Sequence, residues 1–209
     1  MLIQKLKEKY NSNDPIFIEE IYTIMEGYSK SQVFILIKNA IKEKKLGRFD
    51  RGIYHLLEMT IVGYSVLSID DVVYKKYVNN NNERFGIFGI RFMEVNFCLS
   101  TQIPSVFEVI TNNTASNYRE IKMRGFRIHL RKSRVNITNK NYYAYTILEL
   151  FTQISINEYL NNRRCQKEVK KYIYENKITK IQIYELLNYF PKKTKNNLIT
   201  CKVIDEFLK

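Results

Sequence analysis

Apolar positions at the start of the chain recur at helical spacing. Leu2, Ile3, Leu6 and Tyr10 share one face, and after the break Asn11-Ser12-Asn13-Asp14-Pro15 the positions Ile18, Ile21, Tyr22 and Met25 repeat the pattern. Glu26-Gly27-Tyr28 reads as a tight turn. Ser29 is placed to cap a third helix whose buried side is Val33, Leu36, Ile37, Ala40 and Ile41. The period then shortens in "LGRFDRGIYHL", which predicts two short strands around Asp50-Arg51-Gly52, where Asp and Gly accept the turn conformations of a hairpin. Three helices closed by a hairpin is the winged helix-turn-helix pattern, in which the third helix enters the major groove and the wing touches the flanking backbone. This module is expected over residues 1–58.

Residues 59–68 are apolar enough for a strand or a buried connector, Ile69 to Val78 reads as a helix, and Asn79 to Asn82 as a polar loop. Phe88 to Leu99 predicts another helix. Val106 to Thr111, Arg119 to Arg124 and Phe126 to Arg131 are β-rich, punctuated by Asn112-Asn113 and Gly125. From Tyr142 the spacing is helical through Ile154, and again over Val169 to Tyr174, Ile181 to Phe190 and Leu198 to Leu208, with Pro191-Lys192-Lys193 closing one of these helices. The expected fold is therefore α+β: an N-terminal winged helix-turn-helix, a central mixed α/β part with a small antiparallel sheet (59–140), and C-terminal helices (141–209), the last two forming one domain over 59–209.

Charge changes this picture. Thirty-four Lys and Arg stand against 21 Asp and Glu, a formal net charge of +13, which favours a polyanionic partner through counterion release. Abundant Ile, Lys, Asn and Tyr with scarce Gly, Ala and Pro is also the bias of an AT-rich coding sequence, which raises lysine without selection for charge. By segment, residues 1–60 carry 10 basic and 8 acidic residues, 61–140 carry 12 and 6, and 141–209 carry 12 and 7, and the middle excess is mostly arginine, which AT-rich bias does not explain. On the third helix and wing, the positions facing DNA would be Lys30, Ser31, Gln32, Ile35, Lys38, Asn39 and Lys42, with Arg48 and Arg51. Gln and Asn can pair bidentately with adenine, and Lys and Arg reach phosphates or guanine. A charged outer face is equally what any soluble helix shows, and winged helices also dock proteins.

In the β-rich part, Ile121, Met123, Phe126, Ile128 and Leu130 alternate with Lys122, Arg124, Arg127, His129 and Arg131, so one sheet face would be apolar and the other basic. That basic face can hold a phosphate backbone, a nucleotide or an acidic partner, or be a solvated face that discourages edge pairing. No GxSxG elbow, Walker loop, HExxH or paired-His spacing is present. His55 ends the wing strand, where a structural hydrogen bond is the expected role. Asp70-Asp71 read as helix-start acids rather than a metal site, and Ser100-Thr101 have no visible activating base. Cys98, Cys165 and Cys201 are odd in number and far apart, as reduced thiols of a reducing compartment would be. No apolar run approaches the roughly 20 residues of a membrane span, and "MLIQKLKEKY" lacks a signal-peptide pattern, so a cytoplasmic protein without membrane, metal or cofactor is expected.

Two stretches together resemble one family. "SKSQVFILIKNAIKEKKLGRFDRGIYHL" looks like the winged helix of AbiEi-type antitoxins, especially the DUF6088-like group, ending in Arg51-Gly52-Ile53-Tyr54. "LSTQIPSVFEVITNN" followed by "IKMRGFRIHLRKS" is similar to that family's LSTQ-Pro segment (Leu99, Ser100, Thr101, Gln102, Pro104), which leads into a strand ending in Thr and an Arg-rich hairpin. The likeness covers residues 15–134. Glu43 and Lys44 stand where relatives tend to close the third helix with Gly, Gly47 where a basic residue is frequent, and Cys98 where Gly is usual. The resemblance implies an antitoxin of a type IV toxin-antitoxin, phage-defence pair; the residues themselves predict no enzyme, and a kinase-like activity on the toxin stays open as one of the modes proposed for the group. It would counter a nucleotidyltransferase-like toxin and repress its own operon at inverted repeats in operator DNA; the basic strand face read from the alternation, Lys122, Arg124, Arg127, His129 and Arg131, is the candidate antitoxin or partner surface. A winged-helix transcription regulator or protein-docking module without a toxin partner is the alternative.

Overall fold

The helical spacing of the first forty residues becomes three helices, α1 (Leu2–Lys7), α2 (Ile18–Ile24) and α3 (Lys30–Lys42). The structure is a computed structural model and describes residues 1–61, 63–102 and 106–208. It is a mixed α+β protein of two compact units, Met1–Lys76 and Tyr77–Lys209. None of the helices among the described residues is long and apolar enough to cross a membrane.

In the first unit, β1 (Ile16–Phe17) enters α2, and the chain after α3 forms β2 (Leu46–Asp50) and β3 (Ile53–Leu56). The three strands make an antiparallel sheet in the order β1-β3-β2. Leu6, Ile16, Ile21, Met25, Val33 and Leu46 are fully buried in the core between the helices and this sheet. Ser29 caps α3 as expected. Its Oγ accepts the Gln32 amide at 3.2 Å, while Gln32 Oε1 accepts the Ser29 amide at 2.8 Å, a reciprocal capping box. A short hairpin, β4 (Met59–Thr60) with β5 (Gly63–Tyr64), follows. Met59 and Ile61 are exposed on it rather than buried as a connector would be.

Helix α4 (Ile69–Tyr77) carries the chain across the boundary between units. Its Lys75 Nζ donates to Pro15 O at 2.6 Å and Glu20 Oε2 at 2.8 Å and lies 4.8 Å from the Tyr10 ring centre. These long-range bonds explain why residues 59–76 group with the first unit, although the pattern divides at 58.

The second unit opens with β6 (Asn79–Asn80) and β7 (Glu83–Arg84), joined by Asn81 and Asn82 at φ 49° and 64°. The expected polar loop is thus a hairpin, because consecutive Asn residues tolerate the left-handed conformations of its turn. Next come β8 (Gly86–Phe88), α5 (Ile90–Asn96), β9 (Phe107–Thr111), β10 (Tyr118–Met123) and β11 (Phe126–Lys132). The four strands form one sheet in the order β10-β11-β9-β8. It is mixed rather than purely antiparallel, since β11 runs parallel to β9. The physical reason is topological: β9 leads into the outer strand β10, and the β10–β11 hairpin returns β11 beside β9 in the same direction.

Five helices complete the unit: α6 (Tyr142–Gln153), α7 (Ile156–Leu160), α8 (Arg163–Glu175), α9 (Lys180–Leu187) and α10 (Lys192–Thr200). Tyr145, Ile147, Leu148, Leu150 and Phe151 of α6 are fully buried, making it the centre of a core that includes Ile110, Cys165, Ile173 and Leu198. Pro191 does not close a helix. It precedes α10 at φ −57°, where the missing N–H costs nothing. The stretch expected as a helix over 198–208 contains only the end of α10 and a 3-10 turn, Val203–Asp205.

Candidate nucleic-acid interface

Helix α3 buries Val33, Ile37 and Ala40 against the first core. At about 100° per residue, the opposite face carries Ser31, Ile35, Lys38 and Lys42, with Phe34 at its edge, all exposed. The helix contains three lysines and no acid. Phe34 is 59% and Ile35 57% exposed, large apolar side chains flanked by cations. Gln32 and Asn39 lie along one border of this face. Gln32 Oε1 already holds the Ser29 amide, so its side chain serves the helix start and is not free for bidentate pairing with adenine. Lys30 lies on the other border, its Nζ 5.5 Å from the Tyr22 ring centre. Beyond the helix, Lys45 is taken up by Glu43 at 2.7 Å, and this contact holds the Glu43 carboxyl below its ordinary range.

The hairpin β2–β3 turns at Arg51-Gly52, with Gly52 at φ 74°. Asp50 Oδ1 accepts the Arg51 amide at 2.6 Å, and Gly52 O accepts the Ile18 amide at 2.9 Å. The turn is therefore tied back to the start of α2. Arg48 and Arg51 remain exposed, with Arg48 Nε directed at Asp50 O at 3.4 Å. His55 is buried, its Nε2 3.4 Å from Ser65 O. Gly47 is paired with His55, and a Cβ there would collide with the imidazole. The His55 ring thus accounts for glycine at this position.

The basic strand face is less continuous than the alternation predicts. Lys122 and Arg127 stand opposite each other in the ladder and are exposed, and Arg124 occupies the turn at φ 47° beside Gly125 at φ 85°. His129 pairs with Glu120 across the ladder, Nε2 to Oε2 3.1 Å. Arg131 turns to α6, where its Nη2 donates to Glu149 Oε1 at 2.6 Å, and its Nε lies 3.0 Å from Glu108 Oε1 without hydrogen-bond alignment. Glu149 is 1% exposed and also receives Gln153 Nε2 at 3.1 Å and Arg134 Nε at 3.5 Å. His129 and Arg131 are thus committed to carboxylates of this chain, because the sheet and α6 bring acids to them that lie far away in sequence.

The LSTQ corner closes α5. Cys98 stands at φ 56°, with its N–H on Val95 O at 3.1 Å and the Leu99 N–H on Glu94 O at 2.7 Å, the Schellman arrangement. Leu99 packs on the second core, and Ser100 Oγ accepts the Gln102 amide at 3.1 Å. Thr101 and Gln102 are exposed. Pro104, with Ile103 and Ser105, lies outside the described residues.

Comparison with protein-family models and with curated proteins finds no match to this chain. Its functional residues are therefore defined by geometry. Among the described residues, no group of three or more His, Cys, Asp or Glu is arranged to hold a metal ion. Two features escaped the sequence. Phe34, which the spacing assigns to neither face, is 59% exposed on α3. Glu149, which the sequence does not single out, is 1% exposed and is met by Arg131 and Arg134.

Proposed function

We propose that the first unit is a DNA-binding module that reads sequence through α3, in a winged helix-turn-helix arrangement. The observation that carries this reading is the acid-free outer face of α3, with Lys38 and Lys42 beside exposed Phe34 and Ile35. Lysines answer phosphates, and exposed apolar side chains on a recognition helix match thymine methyl groups. The order helix, strand, helix, helix, strand, strand, with β1 paired to β3, supports it too. Because the turn at Arg51-Gly52 is tied to Ile18, the wing contributes a short basic tip rather than a long arm. The likeness to AbiEi-type antitoxins extends the proposal to an antitoxin that represses its own operon and counters a nucleotidyltransferase-like toxin.

The test is binding of the full chain to DNA from upstream of its own gene, titrated over a range of salt. Affinity is expected to fall linearly in log–log form, and Lys38→Ala with Arg51→Ala is expected to weaken binding and reduce the salt slope by about 2. Phe34→Ala should relax sequence preference more than affinity. Unchanged binding in the double variant refutes the assignment of this face. A second reading, docking of a protein on the apolar pair Phe34-Ile35, is favoured instead if DNA does not bind while a neighbouring gene product is retained in a Phe34-dependent manner.

A further inference from the structure

We propose that the cleft between the end of β11 and α6 binds the phosphate group of a small phosphorylated ligand. The site lies wholly within the second unit and is independent of the DNA-binding face. The cleft has a volume of about 490 Å³, within the range of roughly 300–1,000 Å³ typical of small-molecule sites. Three cations line it, Arg131, Lys132 and Arg134, against one carboxylate, Glu149.

That carboxylate is not available to a ligand. Its oxygens are occupied by Arg131, Arg134 and Gln153 in the bonds described above, so its effect is to fix two guanidinium groups in place. Arg134 commits only Nε to Glu149, and its guanidinium also lies 5.4 Å from the Phe190 ring centre. Its Nη donors keep no bond among the described residues. Lys132 is exposed and has no ion-pair partner among them. With Arg131 already committed to Glu149 and Glu108 as a strut of the wall, the Arg134 guanidinium, placed before a ligand arrives, and the exposed Lys132 ammonium beside it suit the oxygens of a phosphate.

Neutral donors complete the site. The Tyr145 hydroxyl lines the cleft and accepts the Arg134 amide at 2.9 Å, which leaves its proton to donate. Burial pushes this phenol up to about 12, so the proton is retained at neutral pH. Asn117 adds an amide at the rim. Ser133 of the wall is braced from behind: its Oγ donates to Asn112 Oδ1 at 2.8 Å, which also accepts the Ile137 amide at 2.9 Å, while Asn112 Nδ2 donates to Ile137 O at 2.8 Å. A preformed site loses little affinity to ordering.

Calorimetric titration of the full chain with inorganic phosphate, adenosine 5′-monophosphate and adenosine, at ionic strength matched with chloride, tests the proposal. Saturable binding of the two phosphate-bearing probes and none of adenosine is expected. Tighter binding of the nucleotide marks an organic phosphate as the ligand, and equal binding marks free phosphate. Lys132→Gln with Arg134→Gln should weaken binding at least tenfold. Lys132→Gln alone, at an exposed position that does not endanger folding, should weaken it severalfold. Lys122→Gln with Arg127→Gln, elsewhere on the sheet, should leave it unchanged. No saturable heat, or equal loss in both double variants, overturns the site.

Discussion

Replacing Cys98 by glycine should stabilise the second unit. Cys98 holds φ 56° at the end of α5, a left-handed conformation that costs a residue with a Cβ roughly 1–2 kcal/mol and glycine almost nothing. Glycine in turn loses about 0.4–1 kcal/mol through the freedom it gains in the unfolded chain, so the net gain is about 0.5 kcal/mol. Lys177 and Lys44 close α8 and α3 in the same way, at φ 50° and 55° with their own Schellman bonds. Lys177→Gly also gives up about 0.3 kcal/mol of interaction with the helix dipole. Lys44→Gly further loses the contact of its Nζ with the Tyr64 ring, 5.7 Å from the centre, about 0.5 kcal/mol at an exposed position. The expected order of stability change is therefore Cys98→Gly above Lys177→Gly above Lys44→Gly. The control is Asn161→Gly, at a helix end with φ −86°, where only the glycine cost of about 0.4–1 kcal/mol applies. The gap between Cys98→Gly and the control is then about 1–1.5 kcal/mol, or about 2–6 °C in Tm for a protein of this size. Urea unfolding and scanning calorimetry read it, with Cys98→Ala separating loss of the thiol from relief of the backbone. A Cys98→Gly variant as unstable as Asn161→Gly refutes the reasoning.

Glu149→Ala should cost about 3 kcal/mol, the low end for breaking a buried pair, because Arg131 keeps Glu108 and is 27% exposed; a urea midpoint equal to that of the unmodified chain contradicts this. Glu149→Gln, which keeps an oxygen for Arg131, should recover part of the loss. Gly86→Ala should be more damaging than Gly47→Ala. A Cβ at 86 meets the backbone oxygen of Tyr77, which cannot give way, whereas at 47 it meets the His55 ring, and overpacking of that kind costs about 1–3 kcal/mol. Comparable stability of the two variants shows that the Tyr77 backbone yields.

The local elements were legible where their causes are local. The Ser29 cap, the turn at Arg51-Gly52, the buried stripe of α3 and the alternation of β10 and β11 depend on residues within a few positions of one another, and the spacing reports them directly. Lys44, Gly47 and Cys98 are positions whose local causes only the structure shows. Two of these occupy left-handed helix ends where glycine would be at ease, and at Gly47 the His55 ring leaves no room for a side chain.

Sequence alone determined the three N-terminal helices and the hairpin at Arg51-Gly52, the acid-free third helix and the basic alternation of the Arg-rich hairpin, but not β1. Only the tertiary structure decided which charges remain available. Arg131 and His129 lie on the predicted face, but sheet pairing puts Glu120 beside one, and the packing of α6 puts Glu149 against the other. An ion pair across 18 residues of chain leaves no periodic trace, because it depends on where two elements meet. The same meeting creates the cleft of Lys132, Arg134 and Tyr145, whose chemistry belongs to no single stretch of the chain.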